Sequence, residues 1–179
     1  DVWEYVPEEA RERLLQNEIF GARFHLDGPG GRAYPFYKET PVSNAIDRVE
    51  LDRTLARSAS DAGADVRDGH TVTTVEERSD RVDVTARGPD GVERFEARMV
   101  VGADGPRSRV RDELGLPDPD EFLHGVLGFD PGADHEDFVD VHLTVPGFFA
   151  WRIPRGEAGV EYGLAVRPGD DAPGRVDDL

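Results

Sequence analysis

Cysteine is absent from this chain, which excludes disulfides, thiolate metal sites and a cysteine nucleophile. Lysine is nearly absent as well: of 21 basic residues only Lys38 is not an arginine, and 38 acidic residues leave a net charge of −17. Nucleic acid is not an expected partner, because binding it depends on clustered basic groups that neutralise phosphates. No apolar run approaches the length of a membrane span. The only methionine is Met99 and the chain opens at Asp1. It therefore reads as an internal piece, and the lack of a targeting peptide carries no weight.

The abundant residues are equally informative. Aspartate and glutamate are interleaved with Val, Leu, Ile and Phe along the whole length, the pattern of a folded acidic surface rather than a disordered acidic tail. Such an acidic, lysine-poor surface matches the cytoplasmic proteins of salt-accumulating microbes, where high salt screens self-repulsion. At 179 residues the chain can bury a genuine core in one domain or two small ones.

Helix signals occupy residues 7–17, where Pro7 and two glutamates open the first turn, and residues 49–63, where Leu51, Leu55, Ala56 and Ala59 repeat at helical spacing before Gly63. Strands are expected over 18–27, 32–37, 65–67, 71–76, 81–87, 92–102, 122–129, 138–145, 148–154 and 159–166. Gly28-Pro-Gly-Gly31 and Gly88-Pro-Asp-Gly91 read as hairpin turns, and Pro117-Asp-Pro-Asp-Glu121 as a connection between subdomains. The acidic C-terminal tail is expected to fray. The segment Gly28-Pro-Gly-Gly-Arg-Ala33 formally satisfies a dinucleotide fingerprint. That fingerprint must open a helix, whereas the aromatic run Tyr34-Pro-Phe-Tyr37 follows, so the hairpin reading prevails.

The segment Val100-Val-Gly-Ala-Asp-Gly-Pro-Arg-Ser-Arg-Val-Arg111 carries the strongest chemical signal. It reads as an apolar strand ending in two glycines and a carboxylate, followed by a helix with Pro106 in its first position. Glycines permit a tight turn and close approach to a ligand, and the end of a strand is where open α/β sheets bind nucleotides. The five histidines show no metal-ligand spacing, the acidic stretch 130–140 lacks the alternation of a calcium loop, and Ser108 has no nucleophile-elbow context. No metal site is expected, and no residue stands out as a dedicated general base.

This Ala-Asp-Gly segment resembles the motif of FAD-dependent aromatic hydroxylases and the related geranylgeranyl reductases. A second block agrees: Ala45-Ile-Asp-Arg48, then Leu51, Asp52 and Leu55, then Gly63-Ala-Asp65 and Thr71-Val72. A third block, Phe149-Ala-Trp-Arg-Ile-Pro-Arg155 followed by Tyr162-Gly163, resembles the geranylgeranyl reductase signature Tyr-x-Trp-x-Phe-Pro-Lys with a later Val-Gly. Trp151, Pro154 and Gly163 match; Phe149, Ile153, Arg155 and Tyr162 depart from it.

The resemblance implies a mixed α+β chain, part of a three-layer FAD/NAD(P)-binding domain with an antiparallel sheet on the substrate side. Residues 1–47 would form a substrate-side helix and hairpin, 48–116 the remainder of the FAD-binding domain, 117–170 the substrate-binding sheet, and 171–179 a tail. It implies FAD held by Arg48, Val72, Gly102, Asp104 and Gly105, with NAD(P)H or another electron donor. Phe149, Trp151 and Pro154 would meet an isoprenoid or other hydrophobic small molecule. The implied activity is reduction of double bonds in prenyl chains of lipids or pigments, in a cytoplasmic or membrane-peripheral enzyme. An FAD-dependent aromatic or polyketide monooxygenase is the alternative, as is a non-catalytic acidic domain that has lost its cofactor. The family's pyrophosphate-binding glycine loop and its later Gly-Asp motif are not among these residues, so the piece is expected to be inactive alone.

Overall fold

The computed structural model describes residues 2–27, 30–145, 147–172 and 174. Its contacts divide the chain into two units, residues 1–64 with 123–179 and residues 65–122. Among the described residues the strands form three sheets.

In the first unit a 3-10 turn (Val2–Tyr5) precedes α1 (Glu8–Leu14), then β1 (Leu15–Ile19), β2 (Gly21–His25), β3 (Ala33–Tyr37), β4 (Ser43–Ile46) and α2 (Arg48–Asp61). The helix expected over 7–17 is therefore cut short. Leu14 is fully buried with Val6, Ala10 and Leu51, whereas Leu15 turns outward and its strand pairs antiparallel with β4. Pairing with a distant strand overrides the local helical pattern. The same pairing splits the single strand expected over 18–27 into β1 and β2. α2 starts where its cap dictates, with the Asp47 carboxylate accepting from the Glu50 amide at 2.9 Å. Gly63, at φ 97°, lies beyond its end.

β2 and β3 form an antiparallel hairpin, His25 opposite Ala33, so a strand and not a helix follows the glycine-rich loop. Gly28 and Pro29 themselves lie outside the described residues, as does most of the tail. Pro35 is tolerated because β3 is an edge strand. The hairpin joins β8 (His124–Asp130), β9 (Phe138–His142), β10 (Ala150–Pro154) and β11 (Val160–Val166) in the order β3-β2-β9-β10-β11-β8. The sheet expected over 117–170 thus also takes strands from the first 47 residues, with β2 running parallel to β9.

Register decides what each face of this sheet carries. Phe36, Val139, Val141, Trp151, Ile153 and Gly163 share one face. The other presents His25, Arg23, Asp140, His142 and Arg152, beside a core of Ala150, Leu164, Val166 and Ala172.

The second unit holds β5 (Thr71–Glu77), β6 (Val82–Gly88), β7 (Gly91–Ala97) and α3 (Arg109–Glu113), with β6 central. Residues 65–67 form no strand. The strand expected to run to Gly102 stops at Ala97, because Ala97 is opposite Val82, where β6 begins, and the chain then outruns its partner. Met99 and Val101 are left 76 % and 78 % exposed. The helix expected from Pro106 begins later: Pro106 and Arg107 form a turn, and Ser108 caps α3.

Candidate functional site

Asp104 and Ser108 explain where α3 starts. The Ser108 hydroxyl donates to Asp104 Oδ1 at 2.5 Å and accepts from the Arg111 amide at 3.0 Å, while the Val110 amide donates to Asp104 Oδ2 at 3.1 Å. Those donors, the Ser108 hydroxyl first, hold the Asp104 carboxyl below the usual carboxylate range. Arg111 ties the turn down through Asp118 at 2.9 Å and the Pro106 carbonyl at 2.9 Å. A Cβ on Gly102 would stand 3.0 Å from Val110 Cβ, so the loop is drawn tightly onto α3. Gly105, at φ 78°, has open space where a side chain would project. This loop fits a nucleotide in kind: an ionised acceptor suited to sugar hydroxyls, beside backbone that a ligand can approach.

Val72 lies in the same unit, in a cavity of about 290 Å³ with Arg67, His70, Val84, Ala86 and Phe95. Both His70 ring nitrogens face acceptors, Glu93 at 2.8 Å and the Asp68 carbonyl at 2.9 Å. That pairing, with Glu93 foremost, raises the His70 pKa. Arg48 belongs to the first unit. It reaches Asp52 at 3.7 Å, an exposed i,i+4 pair of little energetic weight, and lines a small cavity of about 210 Å³ with Asn44, Arg155 and Glu161.

Phe149 and Trp151 come together as the sequence suggests. With Phe20, Phe36, Val139 and Ile153 they line an apolar cavity of about 690 Å³ in the first unit. The two rings are tilted by 59° at 5.7 Å, and Phe148 stacks on Phe149 at 4.4 Å. Gly163 lies opposite Trp151, and a Cβ there would be 2.3 Å from the indole Cζ2, so the absent side chain makes room for the ring. The Trp151 indole N–H donates to Glu161 at 3.2 Å. Pro154 does not join the cavity: it is fully buried, an odd number of positions from Trp151 and so on the opposite face, with its carbonyl accepting from Asn17 at 3.3 Å.

Sequence reading missed Glu161 and the walls from β2, β3 and β9. The signal for Glu161 was present, because Glu161 and Gly163 lie two apart on one strand. The other walls needed a strand order that no local pattern contains. Among the described residues no group of three His, Asp or Glu side chains is placed to hold a metal ion, and no helix is long and apolar enough to cross a membrane.

Known proteins share this fold and parts of this sequence. The FAD binding domain family matches residues 6–170. The chain is 31 % identical over 159 residues to digeranylgeranylglycerophospholipid reductase 2 of Methanothermobacter thermautotrophicus, covering 84 % of this chain and 39 % of that protein. A shorter stretch of 84 residues is 36 % identical to 12-dehydrotetracycline 5-monooxygenase/anhydrotetracycline 6-monooxygenase of Streptomyces rimosus, covering 47 % of this chain and 17 % of that protein. Among solved structures, a geranylgeranyl bacteriochlorophyll reductase-like protein from Thermoplasma acidophilum superposes with a TM-score of 0.82 at 22 % identity, over 97 % of this chain and 49 % of that one, which establishes the common fold. The chain spans about two-fifths of the length of the reductase relative. It belongs to the FAD-binding domain family, as part of a flavoprotein.

Proposed function

We propose that the protein containing this chain is an FAD-dependent reductase that saturates isolated double bonds in geranylgeranyl chains of lipids or pigments, and so serves lipid biosynthesis. The observation that carries this reading is the apolar cavity of about 690 Å³ walled by Phe149 and Trp151. Its size is that of a ligand pocket, and its walls offer hydrocarbon and aromatic surface to a flexible apolar chain. Reduced FAD supplies hydride when bound. The residues of this chain would hold the alkene, exclude water and fix the cofactor.

In this reading the Asp104 carboxylate accepts from the nucleotide's hydroxyls, Gly102 and Gly105 let the ligand approach the backbone, Val72 lines its neighbourhood and Arg48 offers a cation. Phe149 and Trp151 meet the substrate; Pro154, buried on the other face, is a framework residue. Residues 48–116 carry cofactor contacts, and 1–47 with 117–170 build the substrate side. Electrons come from NAD(P)H or another donor, and the chain alone lacks activity. The protein works in the cytoplasm with peripheral access to membrane-held prenyl substrates, and its charge of −17 suits a salt-rich interior.

A monooxygenase acting on an aromatic or polyketide substrate is the second reading. It is favoured by the 36 % identity to the Streptomyces rimosus monooxygenase over 84 residues. Prenyl reduction by the unaltered full-length protein separates the two, and Trp151→Ala tests the cavity: reduction should fall sharply while FAD content is retained. The melting temperature must be measured beside it, since Trp151 is half-buried and truncating even a partly buried tryptophan can cost about 3 kcal/mol. A stable, flavin-loaded variant with undiminished prenyl reduction would remove the cavity from the site.

A further inference from the structure

Glu161 is a carboxylate on an otherwise apolar sheet face, and its geometry gives it a task. It stands opposite Ile153 in the β10–β11 register, one step along β11 from the Trp151–Gly163 pair on the same face. From there Oε1 accepts the indole N–H of Trp151 at 3.2 Å. Gly163 leaves the space that the indole occupies, for a Cβ there would stand 2.3 Å from Cζ2 and 2.4 Å from Cε2. Phe149 closes the ring's other flank at 5.7 Å. Indole has one donor, and an N–H turned toward hydrocarbon without an acceptor is strongly disfavoured. Of the basic residues lining the neighbouring small cavity, Arg155 is engaged elsewhere, with Gln16 at 2.8 Å and over the Phe129 ring at 5.1 Å.

We propose that Glu161 is a positioning residue, which with Gly163 fixes the Trp151 indole in one orientation as a rigid wall for the prenyl chain. The proposal rests on the reading of the large apolar cavity as the substrate site. A wall held before the substrate arrives costs less to order on binding than one that must be immobilised by it. Glu161 therefore acts through Trp151 on substrate affinity, without touching the reacting atoms.

The test uses the full-length flavoprotein, a geranylgeranyl lipid as substrate, and steady-state kinetics beside FAD content and melting temperature. Glu161→Ala should raise KM about tenfold, the scale of a lost hydrogen bond to a charged group, with kcat little changed and FAD retained. Glu161→Gln, whose amide oxygen still accepts but carries no charge, should bring KM part of the way back. Trp151→Phe should raise KM too, and adding Glu161→Ala to it should raise KM no further. An unchanged KM for Glu161→Ala alongside a raised one for Trp151→Phe would overturn the positioning role while leaving the cavity as the substrate site. Failure of Gln to rescue would equally overturn it. An unchanged KM in both single variants would instead overturn the reading of the cavity itself.

Discussion

His142 stacks on His25 with ring centroids 4.3 Å apart, and His25 in turn meets Asp140 at 2.8 Å. Burial first, and then the neighbouring His25, push the His142 pKa below its ordinary value of 6.5, against a smaller opposing pull from Asp140. The fold thus favours neutral His142, while the unfolded chain takes up the proton more readily. The stability contributed by this site is present above the unfolded value and is lost as pH falls through the folded one. His70 has the opposite sign, because its pKa is raised. Its contribution is present below the unfolded value and is lost as pH rises through the folded one. His142→Gln should therefore flatten the acid side of the stability profile. The check is the melting temperature of variant and parent from about pH 7 to about pH 5. Parallel curves would contradict the assignment. None of this was legible in the sequence, where His25 and His142 stand far apart and only the parallel pairing of β2 with β9 makes them neighbours.

Three strands of the large sheet are cross-linked through Asp140 on β9. It accepts from Arg23 on β2 at 3.0 Å and from Arg152 on β10 at 3.3 Å, besides its contact with His25. Its side chain is only 9 % exposed, against 31 % for Arg23 and 20 % for Arg152. Arg23 keeps Glu136, and Arg152 keeps Asp134 and Glu136, so Asp140→Ala leaves neither arginine unpaired and should cost about 1.5–3 kcal/mol, the scale of a lost hydrogen bond to a charged group. Asp140→Asn, which retains an acceptor, should cost less. Urea unfolding measures both, and equal small losses would show the cluster to be dispensable. At this scale the sequence was most informative where an element is defined locally. α2 announces itself through Leu51, Leu55, Ala56 and Ala59, although its cap at Asp47 was not read, and β10 and β11 through their alternation. It was least informative where an element ends on another's account: β7 stops because β6 has begun, and α3 starts only at Arg109 because Asp104 and Ser108 supply its first acceptors.

The large sheet takes its strands from both ends of the chain, β2 and β3 from the beginning and β8 to β11 from the last third. Phe149 and Trp151 could be read as partners on one strand, but Phe20, Phe36 and Val139 become cavity walls only through that topology. The family motifs were legible because they are contiguous; the cavity was not, because it is an assembly. The net charge of −17 adds a property of the whole chain, a self-repulsion that salt relieves. The proposed reduction of prenyl double bonds is tested by mass spectrometry of a geranylgeranyl lipid incubated with the full-length, FAD-loaded protein and a reductant. Products heavier by two hydrogens for each double bond saturated, formed without oxygen, are expected. An unaltered lipid, together with oxygen-dependent hydroxylation of an aromatic substrate by the same preparation, would contradict it.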